Sequence, residues 1–341
     1  MSDTRDLIRR TLEAHDSVTM AELLELTGLT RPAVLYHLRA LTEDGDAELV
    51  GPSRGRSVRY RSPYDERWEF PLNEMAAEHR LWSDLRDELL DADSSVAARE
   101  IHEYVFGEMV NNVLDHSSSQ SLTITRRAVA GSVGISVRDY GVGIFQHIAD
   151  AEGLTDHHAS LLRLQSGTYT TDPDNHTGQG IFFSSRAVDH FSVGSGTLGW
   201  QVDNVAGDST VTRIHAVPGT IVRWTLDSAT TRSLPALFEF YSRADDDGIP
   251  QFAVTTIPVS VAAATDTYAT RSAARELLAG KQQFRVIILD FANVENIGQG
   301  FADEVFRVYQ ALNPTVTIEP VHMNRQVAFL VDQARGIGFV R

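Results

Sequence analysis

The chain contains no cysteine, and of its 30 basic residues only Lys281 is a lysine. Without cysteine there is no disulfide framework and no thiolate metal site. No run approaches the roughly 20 apolar residues that cross a membrane, and the opening residues 1–10 hold no apolar signal core. The expectation is a cytoplasmic protein with no membrane partner. Repeats and low-complexity tracts are also absent. The formal net charge of -16 argues against whole-chain contact with nucleic acid and confines any DNA contact to a local patch. An acidic, lysine-poor composition suits either a salt-rich cytoplasm or a GC-rich genome. What the chain does have is length and apolar content. Its 341 residues are enough for two or three domains, and 42% hydrophobic residues exclude wholesale disorder.

Residues 1–63 read as a small helical unit. Leu7, Ile8 and Leu12 recur at helical spacing, Thr19 opens a second helix over 21–26, and Gly28 supplies a turn. Thr30 and Pro32 suit the start of a third helix over 31–41. Ala47–Val50 and Ser57–Arg61, joined through Gly51-Pro52, read as a hairpin. Three helices and a hairpin resemble a winged helix-turn-helix. In that motif the third helix enters the major groove, which makes Arg31, Tyr36, His37 and Arg39 candidate DNA contacts. The wing adds Arg54, Arg56, Arg59 and Arg61, with no acid between Gly51 and Ser62. Over residues 1–63 nine arginines face ten acids, so use of the unit for protein contact stays open. Residues 64–98, with helical spacing from Met75 onward, read as a connecting helix and a possible dimer contact.

The middle of the chain carries three short motifs in order: Glu108-Met-Val-Asn111-Asn112, Asp139-Tyr-Gly141-Val-Gly143, and Thr177-Gly178-Gln-Gly180. Glu108 and Asn112 lie four apart and share a helix face. Asp139 follows an alternating strand, Val133–Val137, after another at Ser121–Thr125. Gly178 and Gly180 open a helical run, where backbone N–H groups bind phosphate. A further strand, Val217–Leu226, contains Gly219-Thr220. Alone, each motif also reads as a polar helix surface or a β-turn.

Together their order resembles the GHKL (Bergerat) ATP-binding fold of gyrase B, MutL, the ninety-kilodalton heat-shock chaperone, histidine kinases and anti-sigma kinases. The resemblance implies an α/β-sandwich domain over 99–230 with ATP and Mg²⁺ as cofactors. Asn112 becomes the metal ligand, a hard oxygen donor of the kind Mg²⁺ takes, beside Asn111. Glu108 becomes the general base. Asp139 accepts from the adenine amine, Gly141 and Gly143 let backbone approach the nucleotide, Thr177, Gly178 and Gly180 hold phosphate, and Thr220 supports Asp139. Residues 144–176 become a mobile lid. Its His147, His157, His158 and His176 read as solvated residues or a zinc site. Some family members set a lysine against the γ-phosphate. This domain has none, which leaves Arg163 or Arg186 as stand-ins and implies slow hydrolysis.

Beyond a polar segment, residues 251–341 alternate strand and helix: Phe252–Val261, Thr270–Leu278, Phe284–Asp290, Ala302–Leu312, Thr315–Val321 and Gln326–Ala334. This pattern implies a small α/β sheet. The stretch from Ile287 to Phe301 resembles the strand–loop–helix of STAS domains, with Gln299 and Gly300 where the phosphorylated serine would stand. Asp290 and the pair Asp303-Glu304 read as a site or as solvated acids.

The whole is an α/β multidomain chain. The expected function is an ATP-responsive DNA-binding regulator in transcription or defence. It would contact DNA through residues 30–61, engage a protein partner through its STAS-like domain, and form a homodimer. The alternatives are a serine kinase acting on a partner, a histidine kinase using His79, and a DNA-remodelling or antiviral effector ATPase.

Overall fold

The computed structural model describes residues 2–15, 17–50, 59–74, 78–129, 131–167, 179–244, 250–259, 270–278, 281–282 and 284–336. The architecture is mixed α/β, in two compact units. Residues 1–147, 188–201 and 211–230 make the first; 148–187, 202–210 and 231–341 make the second.

The first unit opens with helix α1 (Ser2–Ala14), strand β1 (Val18–Thr19), helices α2 (Met20–Thr27) and α3 (Arg31–Glu43), and strands β2 (Glu48–Val50) and β3 (Arg59–Arg61). Apolar residues three or four apart on each helix, among them Ile8, Leu12, Leu23, Val34, Leu38 and Leu41, meet in one core. Thr19 and Glu22 form a capping box: the Thr19 N–H donates to Glu22 Oε2 at 2.6 Å and the Glu22 N–H to Thr19 Oγ1 at 3.3 Å. Gly28 closes α2 at φ +64, a conformation glycine adopts without strain. The hairpin pairs antiparallel, Val50 opposite Arg59 and Glu48 opposite Arg61, with β1 on its other edge. The helices and hairpin expected from sequence are therefore present.

The rest of this unit is built on a five-stranded sheet of β4 (Glu66–Pro71), β5 (Ser121–Val129), β6 (Ser132–Asp139), β7 (His190–Asp203) and β8 (Asp208–Asp227), ordered β4-β5-β6-β8-β7. Two helices, α4 (Glu78–Leu89) and α5 (Val96–His116), pack together with the Trp82 and Phe106 rings 5.2 Å apart. The connecting-helix expectation needs correction over its first part. Residues 66–71 are a strand, with Trp68 opposite Ile124 and Phe70 opposite Leu122. Aromatic residues two apart fit a pleated edge next to β5; helical spacing begins only later.

The winged helix is tied to the sheet. Arg127 of β5 donates to the Gly45 carbonyl. The His15 ring lies 5.3 Å from that of His215, with Nδ1 2.8 Å from the Thr11 carbonyl and Nε2 3.2 Å from that of Ala216. A neutral imidazole carries one N–H and so donates to only one of those carbonyls. Burial holds the His15 ring below its ordinary pKa.

In the core between α5 and β8, the Trp224 indole N–H donates to His102 Nδ1 at 3.0 Å. That bond fixes the neutral tautomer, and burial pushes the His102 pKa down to about 3. The unfolded chain takes up this proton near pH 6.5 and the folded chain does not. The contribution of this neutral histidine to stability is therefore complete above that pH and falls by about 1.4 kcal/mol per pH unit below it, down to about pH 3.

In the second unit, the helices α6 (Ile144–Glu152, beginning in the first unit), α7 (His157–Ser166), α8 (Gly180–Ala187) and α9 (Leu234–Tyr241) precede a short antiparallel pair, β9 (Ser242–Ala244) and β10 (Pro250–Phe252). A parallel three-stranded sheet follows, β11 (Val254–Pro258), β12 (Val286–Asp290) and β13 (Thr317–Val321), in that spatial order. It carries α10 (Arg271–Leu278), a helix over 299–312 with a π-helical turn at Glu304–Tyr309, and a last helix, Arg325–Ala334. Their apolar faces close one core.

Edge strand β11 is covered by helices. The Thr255 hydroxyl donates to the Ser166 carbonyl at 3.2 Å, and Arg186 Nη2 donates to the Thr256 carbonyl at 3.0 Å. Polar groups on an exposed strand edge would otherwise template further pairing. Within the expected lid, α6 and α7 are regular helices, and residues 168–178 lie outside the described residues.

One prediction concerns the core histidine. Going from pH 7 to pH 5 is expected to cost the wild type about 2 kcal/mol more than His102→Gln, which keeps an acceptor for Trp224 but does not titrate. Urea unfolding of both proteins at both pH values measures this difference.

Candidate functional site

Helix α5 buries Ile101, His102, Val105, Phe106, Met109 and Val110, which leaves Tyr104, Glu108, Asn111 and Asn112 on its half-buried side. Glu108 is held from one turn earlier. The Tyr104 hydroxyl bonds to its carboxylate, and burial together with the Glu108 charge raises the phenol pKa. Asn112 is half-buried, and its amide nitrogen has no hydrogen-bond partner. A buried amide donor left unsatisfied is costly unless a ligand or water completes it.

Strand β6 is buried along nearly its whole length and delivers Asp139 at its end. That residue is 3% exposed. Its Oδ1 accepts from the Gly141 N–H at 2.7 Å, and it also accepts from the backbone and hydroxyl of Thr220. Burial holds the carboxyl above the usual range, with those donors acting in opposition. Asp139 forms no ion pair among the described residues.

The glycines around it are required by close approach. A Cβ on Gly141 would lie 1.7 Å from the Ser117 carbonyl oxygen, just past the end of α5. Gly143 has φ +87, and its Cβ would meet Ser195 Oγ at 2.5 Å. Gly219, at φ +69, would meet the Asp139 carbonyl oxygen at 2.3 Å and Oδ1 at 2.7 Å. Three cross-links close the cradle: Val142 N–H to the Ser117 carbonyl at 2.9 Å, Tyr140 N–H to Ser119 Oγ at 3.1 Å, and Ile144 N–H to Thr220 Oγ1 at 2.9 Å. The structure thus brings Asp139, Gly141, Gly143 and Thr220 together beside the end of the helix carrying Glu108 and Asn112.

Thr177 and Gly178 lie outside the described residues, as does His176. Gly180 begins α8 in the second unit. No cluster of metal-ligating side chains exists among the described residues, which gives the zinc alternative for the lid histidines no support there. His147 instead lies 5.3 Å, ring to ring, from His116. Neither proposed stand-in for a phosphate lysine is idle. Arg163 pairs with Glu152 at 2.8 Å. Arg186 stacks 3.6 Å over the Phe182 ring and donates to the Phe182 and Thr256 carbonyls. Lys281 is buried in the second unit, with its amine pushed down to about 7 by burial.

On the DNA-reading side, Arg31, Tyr36 and Arg39 are exposed on α3, Tyr36 at 68%, while His37 is half-buried beside the Tyr36 ring. Arg54 and Arg56 lie outside the described residues. Arg59 and Arg61 are committed within the fold. Arg59 donates to Ser17 Oγ at 2.6 Å and to the Ser17 carbonyl at 2.9 Å. Arg61 bonds to Glu48 and stacks 4.1 Å over Tyr64. These arginines bind the hairpin to its neighbours.

Sequence reasoning missed Tyr104, Ser117 and Ser195. Tyr104 was accessible from its spacing of four before Glu108. Ser117 and Ser195 act through tertiary approach and left no local signal.

Comparison with known proteins agrees with both ends of the chain. The model of a winged helix-turn-helix DNA-binding family matches residues 3–45. That of a STAS-like domain of unknown function (DUF4325) matches residues 273–328. Residues 46–272 lie outside both matches. No curated protein matches the chain. No helix among the described residues is long and apolar enough to cross a membrane. The chain therefore joins a winged helix of DNA-binding type, which points to a regulatory role, to a STAS-like domain.

The glycine cradle yields a stability prediction. Gly141→Ala is expected to destabilise the fold by about 3 kcal/mol or more, because the backbone carbonyl it strikes cannot withdraw. Gly131→Ala, at a positive φ but in open space, is expected to cost only about 1 kcal/mol. Denaturant midpoints of the two variants separate the effects.

Proposed function

We propose that the middle of this chain is an ATP-binding domain of GHKL type, spanning residues 99–230, and that Mg-ATP binding controls a DNA-binding regulator. The observation that carries this reading is Asp139: a buried carboxylate with no ion pair among the described residues, at the end of a central strand, under backbone that only glycines can form. Such an acid is set to accept from a neutral donor, and the exocyclic amine of adenine is one. Thr220 orients it from behind.

The residues also fit a bound metal nucleotide on α5. The Asn112 amide nitrogen has no hydrogen-bond partner and would donate to a phosphate oxygen, while its oxygen is the kind of hard donor Mg²⁺ takes. The ion would neutralise phosphate charge. Glu108, steadied by Tyr104, would take the proton from an attacking water. Asn111, on the same helix, adds a proposed phosphate contact. With Arg163 and Arg186 engaged elsewhere, hydrolysis is slow, and binding rather than turnover sets the state of the winged helix.

DNA is read by Arg31, Tyr36 and Arg39, with Arg54 and Arg56 of the wing on phosphates. The placement is cytoplasmic, and a homodimer would present two reading helices. The runner-up is a protein kinase using the same Glu108 as base.

Two experiments test these assignments. Calorimetry with Mg-ATP is expected to show binding by wild type and Glu108→Ala, and at least tenfold weaker binding by Asp139→Asn; phosphate release is expected to vanish in Glu108→Ala. Equal binding by Asp139→Asn contradicts the adenine assignment. For DNA, Arg39→Ala is expected to weaken binding and reduce the slope of log affinity against log salt by about 1, read by fluorescence anisotropy across a salt series.

A further inference from the structure

The central strand β12 of the STAS-like sheet and its neighbour β13 end level. In their parallel register Asp290 stands opposite Val321, so the loops leaving β12 and β13 start side by side. Ligands of open α/β sheets bind at this carboxyl end. His322 is the first residue beyond β13, and its Nδ1 lies 2.8 Å from Asp290 Oδ1. Asp290 is itself anchored, accepting from the Ala292 N–H at 2.9 Å, and its side chain is 19% exposed against 68% for His322. His322 holds φ +53 and Asn293, in the facing loop, φ +61. Such backbone is uncommon outside glycine, and asparagine and histidine are among the residues that adopt it most readily.

The carboxylate only accepts, so Nδ1 carries the proton and the lone pair is on Nε2. Nε2 makes no hydrogen bond among the described residues. A histidine steadied at one nitrogen by a carboxylate, with the other nitrogen exposed, is an oriented nucleophile. The two loops, 291–298 and 322–324, contain no serine, threonine or tyrosine. His322 is their sole nitrogen nucleophile.

We propose that His322 is a phosphoacceptor that takes a phosphoryl group on Nε2 from a nucleoside triphosphate. The Nε2 lone pair attacks the γ-phosphorus. The Nε2–P bond forms, the bond from that phosphorus to the β,γ-bridging oxygen breaks, and its electron pair leaves on the diphosphate. Nε2 has no proton to lose. Nδ1–H stays on Asp290, whose negative charge offsets the positive charge gained by the ring. The donor half rests on the ATP-binding reading of the middle domain; the acceptor half does not.

The test uses the full chain with two donors, γ-labelled ATP with Mg²⁺ and, separately, phosphoramidate, which phosphorylates histidine without ATP. Mass spectrometry and acid and base stability identify the adduct. The expected result is one phosphoryl group per chain, labile to acid and stable to base, absent from His322→Asn. Asparagine tolerates the left-handed backbone, so that variant keeps its fold. Asp290→Asn is expected to slow labelling by at least about tenfold, and Asp290→Glu to restore part of the rate. Labelling by phosphoramidate but not by ATP upholds His322 as acceptor and removes the middle domain as donor. No label on wild type from either donor, equal labelling of His322→Asn, or a base-labile adduct overturns the proposal.

Discussion

The central arrangement rests on the burial of one carboxylate. Asp139 sits at the end of β6 with its charge held mainly by backbone N–H groups and a hydroxyl, with a smaller contribution from Arg138. Such an environment disfavours the ionised form, so every group around it has to be placed closely. That requirement explains the glycines. Gly219 lies against Asp139 and Gly141 against the Ser117 carbonyl, and a side chain at either position would push the loops away from the carboxylate. The cradle also fixes the start of α6, through Ile144 on Thr220. Local backbone, strand end and helix end are therefore one mechanical object.

The two ends of the chain use different physics. The winged helix is held by a small apolar core and by arginines spent inside the fold, Arg59 on Ser17 and Arg61 on Glu48. Its exposed polar residues on α3 are consequently the ones free to meet a partner. The STAS-like sheet protects its edge by covering β11 with α7 and with the guanidinium of Arg186. Helix α7, which sequence alone assigns to a nucleotide lid, is thereby part of the same compact unit as the STAS-like sheet.

Much of this was legible in the sequence because the signals were periodic. The capping box of Thr19 and Glu22, the turn at Gly28, the alternating strands before Asp139 and the strand–helix alternation after 251 all reappear as elements. Strand β4 was hidden because its aromatic residues were read together with the helical spacing that follows. Strand β7 was missed because its glycines at 194, 196 and 199 dilute the alternation. In the candidate site, Glu108, Asn112, Asp139 and the glycines were visible as motif residues. What made them a site was not: Ser117 against Gly141 and Ser195 against Gly143 are contacts between distant segments. The arginines show the same limit. Sequence ranked the wing arginines together, and only the tertiary bonds of Arg59 and Arg61 separate them from Arg31 and Arg39.

The central claim is that Asp139 reads an adenine amine, and base discrimination tests it most directly. Titration of the full chain with Mg-ATP and with Mg-GTP compares a base offering an amino donor at that position with one offering a carbonyl oxygen. ATP is expected to bind at least about a hundredfold more tightly, since a carbonyl facing a buried carboxylate leaves two acceptors unpaired. Equal affinity for the two nucleotides, or no binding of either, would contradict it.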